Sequence, residues 1–85
     1  MPAPSPGVVS RRVGDETVLV HLRTNKIFSL NATGARFWQL LSEGRKRSEV
    51  EEQLQREYEV SHKQVAMEIE SLLATLEAER LVRPR

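Results

Sequence analysis

Two histidines, His21 and His62, are the residues best suited to act as a general base or metal ligand near neutral pH. They lie about forty residues apart on different predicted elements and match no H-x-x-x-H or similar ligand spacing. His62 follows a predicted helix N-cap and His21 reads as the outward face of a strand, so both read as surface histidines. The paired acids Glu51/Glu52 and Glu68/Glu70 fall on helix faces away from the apolar stripes, where like charges are solvated and do not tune one another. The glycines stand scattered at 7, 14, 34 and 44, so no phosphate-cradling loop forms, and no hydroxyl has an obvious base beside it. Cys is absent, which removes thiolate metal sites, thiol nucleophiles and disulfides. The reading is a chain with no catalytic residue, no metal and no cofactor: not an enzyme.

The elements that could position a binding site are easier to read. With 85 residues and no internal repeat, the chain predicts one small domain over 8–82. A flexible Pro-rich tail is expected at 1–7 and a short C-terminal tail at 83–85. Val8–Val13 can form a strand, and Gly14-Asp15-Glu16 a turn. Thr17–Arg23 alternates, with Val18, Val20 and Leu22 on one side and Leu19, His21 and Arg23 on the other. Thr24-Asn25-Lys26 turns again, and Ile27–Leu30 returns with Phe28 and Leu30 on one face. At Asn31, a good N-cap, the period changes to that of a helix carrying Phe37, Trp38, Leu40 and Leu41, with Gly44 as its C′ residue. Ser48 and Glu51 read as the capping box of a second helix with Val50, Leu54 and Tyr58 on one stripe. Ser61 opens the longest helix, whose stripe is Val65, Ile69, Leu72 and Leu76, widened by Ala66, Met67, Leu73 and Leu81. The expected fold is α+β, a three-stranded antiparallel meander followed by three α-helices, in the manner of a winged helix-turn-helix.

Charge separates the possible partners. The net charge is +1, yet residues 48–80 carry nine Glu against three cations. A winged-helix nucleic-acid-binding protein is the sharper alternative on fold alone. Its recognition helix needs cations or amides, whereas the last helix presents Glu68, Glu70, Glu77 and Glu79. No nucleic acid partner is expected. No apolar run is long enough to span a bilayer and the N-terminus has no signal-peptide pattern, so no membrane partner and a cytoplasmic location are expected.

A peptide remains. A three-stranded meander has two open edges, and an unpaired edge accepts an extended segment through its backbone N–H and C=O groups. The third strand is guarded only by Lys26. If the last helix lies beside that edge, the gap becomes a groove with a strand backbone as wall and helix side chains as floor. Met67 lies off the main stripe and suits a pliable apolar contact.

Several runs, taken in order, resemble the PQQ-synthesis protein D (PqqD) family. They are Val18-Leu19-Val20, Ile27-Phe28-Ser29-Leu30-Asn31-Ala32-Thr33-Gly34, Trp38-x-x-Leu41-x-x-Gly44, Val50-x-x-x-Leu54-x-x-x-Tyr58, and Leu72-x-x-x-Leu76 to Leu81-Val82. The entry Leu30-Asn31-Ala32-Thr33-Gly34 looks most like the stand-alone leader-binding members of lasso-peptide biosynthesis. His21-Leu22-Arg23 stands where many PQQ-type members carry Pro-Glu, which favours the lasso type. The resemblance implies a RiPP recognition element, a non-catalytic peptide chaperone of natural-product biosynthesis. It would bind the leader of a ribosomally made precursor by strand addition to the third strand against the third helix. The implied partners are a leader peptidase of transglutaminase-like fold and an ATP-dependent cyclase; the PQQ-type alternative would serve a radical-SAM enzyme. Lys26, Ile27, Phe28, Ser29 and Leu30 are expected on the strand side, and Ala66, Met67, Ile69, Glu70 and Leu73 on the helix side.

Overall fold

The chain reverses at Gly14 and Asn25, both at positive φ (66° and 60°), where glycine and asparagine are the residues least penalised. These turns organise the computed structural model, which describes residues 1–84. In chain order the elements are β1 (Ala3–Pro4), β2 (Val8–Val13), β3 (Glu16–His21), β4 (Lys26–Leu30), α1 (Ala32–Ser42), α2 (Arg47–Tyr58), α3 (His62–Ala78) and β5 (Val82–Arg83). Strands β2, β3 and β4 form the expected antiparallel meander in that spatial order. The α+β reading of three strands followed by three helices therefore holds.

Register decides which side of the sheet faces the helices. Leu19 pairs with Phe28, Thr17 with Leu30, and His21 with Lys26. Leu19, Leu30 and Thr17 are buried, so this is the inner side. His21 shares it and is only 6% exposed, which corrects its expected outward position. The reason is that β3 is the central strand and carries apolar residues on both sides, Val18 and Val20 as well as Leu19. Its own alternation therefore gives no inner or outer sign. The His21 Nδ1 accepts a hydrogen bond from the Arg23 backbone N–H at 3.3 Å.

Helix ends follow local chemistry with one shift. The Asn31 side chain accepts from the Gly34 N–H at 2.9 Å and opens α1. At its other end the Gly44 N–H donates to the Leu41 carbonyl and the Arg45 N–H to Leu40, the paired closure that a left-handed C′ glycine permits. Helix α2 begins at Arg47, one residue before the expected N-cap Ser48. Glu49, not Glu51, folds back to accept from the Lys46 N–H at 3.0 Å. Glu51 lies a half-turn further on, with Oε2 3.4 Å from Arg47 Nε. The Ser61 hydroxyl caps α3 by accepting from the Gln64 N–H at 3.1 Å.

The core lies between the inner sheet face and the helices. Phe37, Trp38, Leu40 and Leu41 of α1 meet Val50 and Leu54 of α2 and Val65, Ile69, Leu73 and Leu76 of α3. The N-terminal segment departs from its expected looseness. Ala3 and Pro4 pair antiparallel with Arg83 and Val82, the Ser5 N–H donates to the Leu81 carbonyl at 3.0 Å, and Met1 packs on the core. Each segment is too short to show periodicity, and only their meeting makes a sheet. Of the expected tail at 83–85, Arg83 belongs to β5, and Arg85 lies outside the described residues.

Candidate functional site

Strands β2 and β4 each leave one edge of the three-stranded sheet unpaired. The β2 edge carries Arg11 and Arg12, charges that discourage strand addition. The β4 edge presents Ile27, Phe28 and Ser29, and α3 lies across from it. Between them runs a cleft of about 370 Å³. The strand side supplies Phe28, Ser29 and Leu30; the helix side supplies Glu68, Ser71, Leu72 and Thr75. Those four helix residues fall at i, i+3, i+4 and i+7, one stripe of a helix face. The base of the cleft is the entry to α1, at Asn31, Thr33 and Gly34. Gly34 is buried, and a Cβ there would stand 3.3 Å from Leu30 Cδ2, so glycine lets α1 approach β4 this closely.

Both ends of the cleft are defined. At one end Lys26 Nζ reaches Glu79 Oε2 at 3.0 Å, tying the start of β4 to the end of α3. At the other the cleft runs into a second cavity of about 300 Å³ among the three helices. The two share Thr33, Glu68 and Leu72. The inner cavity is mostly apolar, lined by Phe37, Leu54, Tyr58, Val65 and Ile69 among others. An extended chain along β4 would thus meet a backbone edge, a mixed helix wall and an apolar recess in succession.

The sequence-predicted residues divide. Phe28, Ser29 and Leu30 line the cleft and Lys26 closes its end. Ile27 lies on the same strand but on the opposite sheet face. On α3 the expected set is displaced. Ile69 is buried and lines the inner cavity, Leu73 is buried core, and Ala66 is half-buried without lining the cleft. Met67 is 63% exposed, away from the cleft. Glu70 is engaged by Arg47 Nη2 of α2 at 2.8 Å. From α3, Glu68, Ser71, Leu72 and Thr75 line the cleft, and Glu79 meets Lys26 at its end. Helical periodicity marked the buried stripe but not which flank of it turns toward β4; the run of 68, 71, 72 and 75 was the available signal.

A salt bridge joins α1 to α2. Arg36 of α1 donates from Nε to both Glu57 carboxylate oxygens, at 2.9 and 3.0 Å, and from Nη2 to Oε2 at 2.7 Å. Gln53 Nε2 adds a third donor, and a fourth hydrogen bond, at 2.6 Å. These hydrogen bonds, Arg36 foremost, hold the Glu57 carboxyl below the usual glutamate range and raise the Arg36 guanidinium. A carboxyl depressed by folding contributes stability above its unfolded pKa, and that contribution is lost as pH falls through the folded value. Glu57→Gln should therefore cost about 0.5–1 kcal/mol at neutral pH, with the difference from the parent vanishing in acid. Urea melts across that pH range check it; a constant difference would contradict it.

The groups that could do chemistry stand apart from the cleft. His21 is enclosed under the sheet, and His62 is exposed with Nε2 3.5 Å from Glu51 Oε1. Among the described residues no group of three or more His, Cys, Asp or Glu is placed to hold a metal ion, and no helix is long and apolar enough to cross a membrane.

Comparison with known proteins adds what the geometry alone does not. No curated protein matches the chain. Two solved structures share the fold over nearly its whole length. "TbiB1 in complex with the TbiA(beta) leader peptide" is 35% identical, with a TM-score of 0.92, covering 98% of this chain and 96% of that one. "Lasso peptide synthetase B1 complexed with the leader peptide" is 26% identical, with a TM-score of 0.87 and 95% coverage of both chains. Residues 16–82, the meander from β3 onward with all three helices, match the family described as coenzyme PQQ synthesis protein D. The chain therefore belongs to the PqqD family.

Proposed function

We propose that this chain is a non-catalytic recognition protein for the leader of a ribosomally synthesised precursor, a lasso-peptide precursor in the first instance. The leader adds as a strand to β4 and packs against α3. The chain then presents the leader to separate enzymes, a transglutaminase-like leader peptidase and an ATP-dependent cyclase. One observation carries the reading: the unpaired β4 edge faces a helix across an extended cleft, in a fold shared with two proteins solved with leader peptides. A PQQ-type role beside a radical-SAM enzyme rests on the family alone, whereas the lasso reading also has the solved complexes. The acidic helix wall, with Glu68 in the cleft and Glu79 at its end, disfavours a phosphate backbone.

Magnitudes show how such a site divides its work. Roughly four backbone hydrogen bonds at about 0.5–1.5 kcal/mol net each are of the same order as the 2–5 kcal/mol lost in ordering a disordered segment. Backbone pairing therefore holds the leader in register, and side-chain burial against Phe28, Leu72 and the inner cavity sets affinity and choice. Dissociation constants between about 1 μM and 1 nM, about −8 to −12 kcal/mol, would then come from side-chain burial.

Peptides recovered from a displayed random library against the immobilised chain test this. Thr75→Arg, which fills the cleft from an exposed helix position, should weaken their binding at least tenfold. Met67→Asp should leave it unchanged, because Met67 lies away from the cleft. Binding should depend mildly on salt, and duplex DNA should not compete. Peptides indifferent to Thr75→Arg would overturn the reading.

A further inference from the structure

The sheet face turned away from the helices plays no part in the cleft, yet it carries an apolar row. Val9 of β2, Val20 of β3 and Ile27 of β4 stand directly opposite one another across the three strands. The neighbouring row, Arg11, Val18 and Ser29, is mixed. Leu19 and Phe28 mark the inner side, so period-two alternation puts Ile27 on the outer one. Ile27 ends its row at the open edge and is 70% exposed. Isolated surface hydrophobes are ordinary. A large apolar residue exposed on an edge strand guarded only at its start, by Lys26, is a feature proteins usually blunt, because it invites a further strand.

A strand paired with β4 inherits the two-residue period of the sheet. Whichever way it runs, alternate side chains enter the cleft and the intervening ones emerge on the outer face. One of these must lie opposite Ile27, close enough for side-chain contact. Resting on the peptide-binding reading above, we infer that Ile27 is a second specificity determinant. It selects an aliphatic or β-branched residue on the outer face of the bound peptide, which extends the Val9–Val20–Ile27 row to a fourth strand. The peptide is read on both faces, by the α3 wall on one side and by Ile27 on the other. Ser29, at the cleft rim but on Ile27's side of the sheet by register, tolerates polar partners.

Parallel selections from one displayed library, against the full parent chain, Ile27→Lys and Ile27→Thr, test this. Thr keeps β propensity while removing apolar surface, and circular dichroism and melting establish that both variants fold. The cleft-facing consensus should be the same for all three chains. One intervening position should change, from aliphatic or β-branched for the parent to acidic for Ile27→Lys, and relax for Ile27→Thr. Placing Asp there in a synthetic parent-selected peptide should weaken parent binding three- to tenfold and strengthen binding to Ile27→Lys. An identical consensus at every position overturns the inference, and if Thr75→Arg still abolishes binding, the peptide-binding reading survives it. Peptides that bind the parent and Thr75→Arg alike overturn both.

Discussion

Proline walked through Ile27, Phe28 and Ser29, one position at a time, should separate into two classes of variant. Along an edge strand successive N–H groups point alternately to the partner strand and to open space. β4 has one partner, β3, and its other side faces the cleft. Where the free N–H is replaced, the ladder to β3 stays whole and the fold is retained. The incoming strand there loses a donor and meets the proline ring, so affinity should fall about ten- to a hundredfold, corresponding to roughly 1–3 kcal/mol. Where the N–H pairs with β3, proline breaks the ladder. Stability should then fall by at least about 1 kcal/mol, on the order of 4–8 °C in a domain of this size. Fluorescence anisotropy with a library-selected peptide and thermal melts of each variant read the two effects separately. Full affinity at all three positions would mean that the peptide does not bind as a strand on β4.

Phe37→Ala should have the largest effect on folding. Phe37 is 1% exposed on α1 and lines the inner cavity with Leu54, Val65 and Ile69. Truncating a buried phenylalanine removes its transfer energy and enlarges a void that the three helices cannot collapse into, a loss of about 3–5 kcal/mol. A domain of this kind is stabilised by only about 5–15 kcal/mol in total. The melting temperature should fall by more than roughly 12 °C, with the variant at the low end of that range partly unfolded at ambient temperature. Phe37→Leu should recover much of the loss, since it refills most of the volume. Melts of both variants decide it; a Phe37→Ala variant within about 1 kcal/mol of the parent would mean that α1 does not anchor the core.

Residue by residue, the strands and helices were legible because each is specified by neighbours in the chain. Gly14 and Asn25 place the two reversals, Asn31 and Ser61 supply caps from their own side chains, and Gly44 closes α1. The β4 edge was legible for the same reason, since three strands in a meander must leave two edges open. Where local signals compete the start of a helix is ambiguous: Ser48 with Glu51 has the sequence pattern of a capping box, yet the helix begins one residue earlier and Glu49 folds back onto the Lys46 N–H.

The amino-acid sequence by itself determined the order of β2, β3, β4 and the three helices, and their boundaries to within a residue or two. Tertiary packing alone decided that Leu19 and His21, not Val18 and Val20, face the helices. It also decided that Glu68, Ser71, Leu72 and Thr75 form the wall opposite β4 in place of Met67 and Glu70, and that the two ends of the chain meet as β1 and β5. Periodicity describes a pattern around one axis but is silent on the rotation of that axis relative to its neighbours. That rotation is set by contacts remote in sequence, above all the shared burial of Leu19 and Leu30 with Phe37, Ile69 and Leu76, whose meeting no single segment encodes.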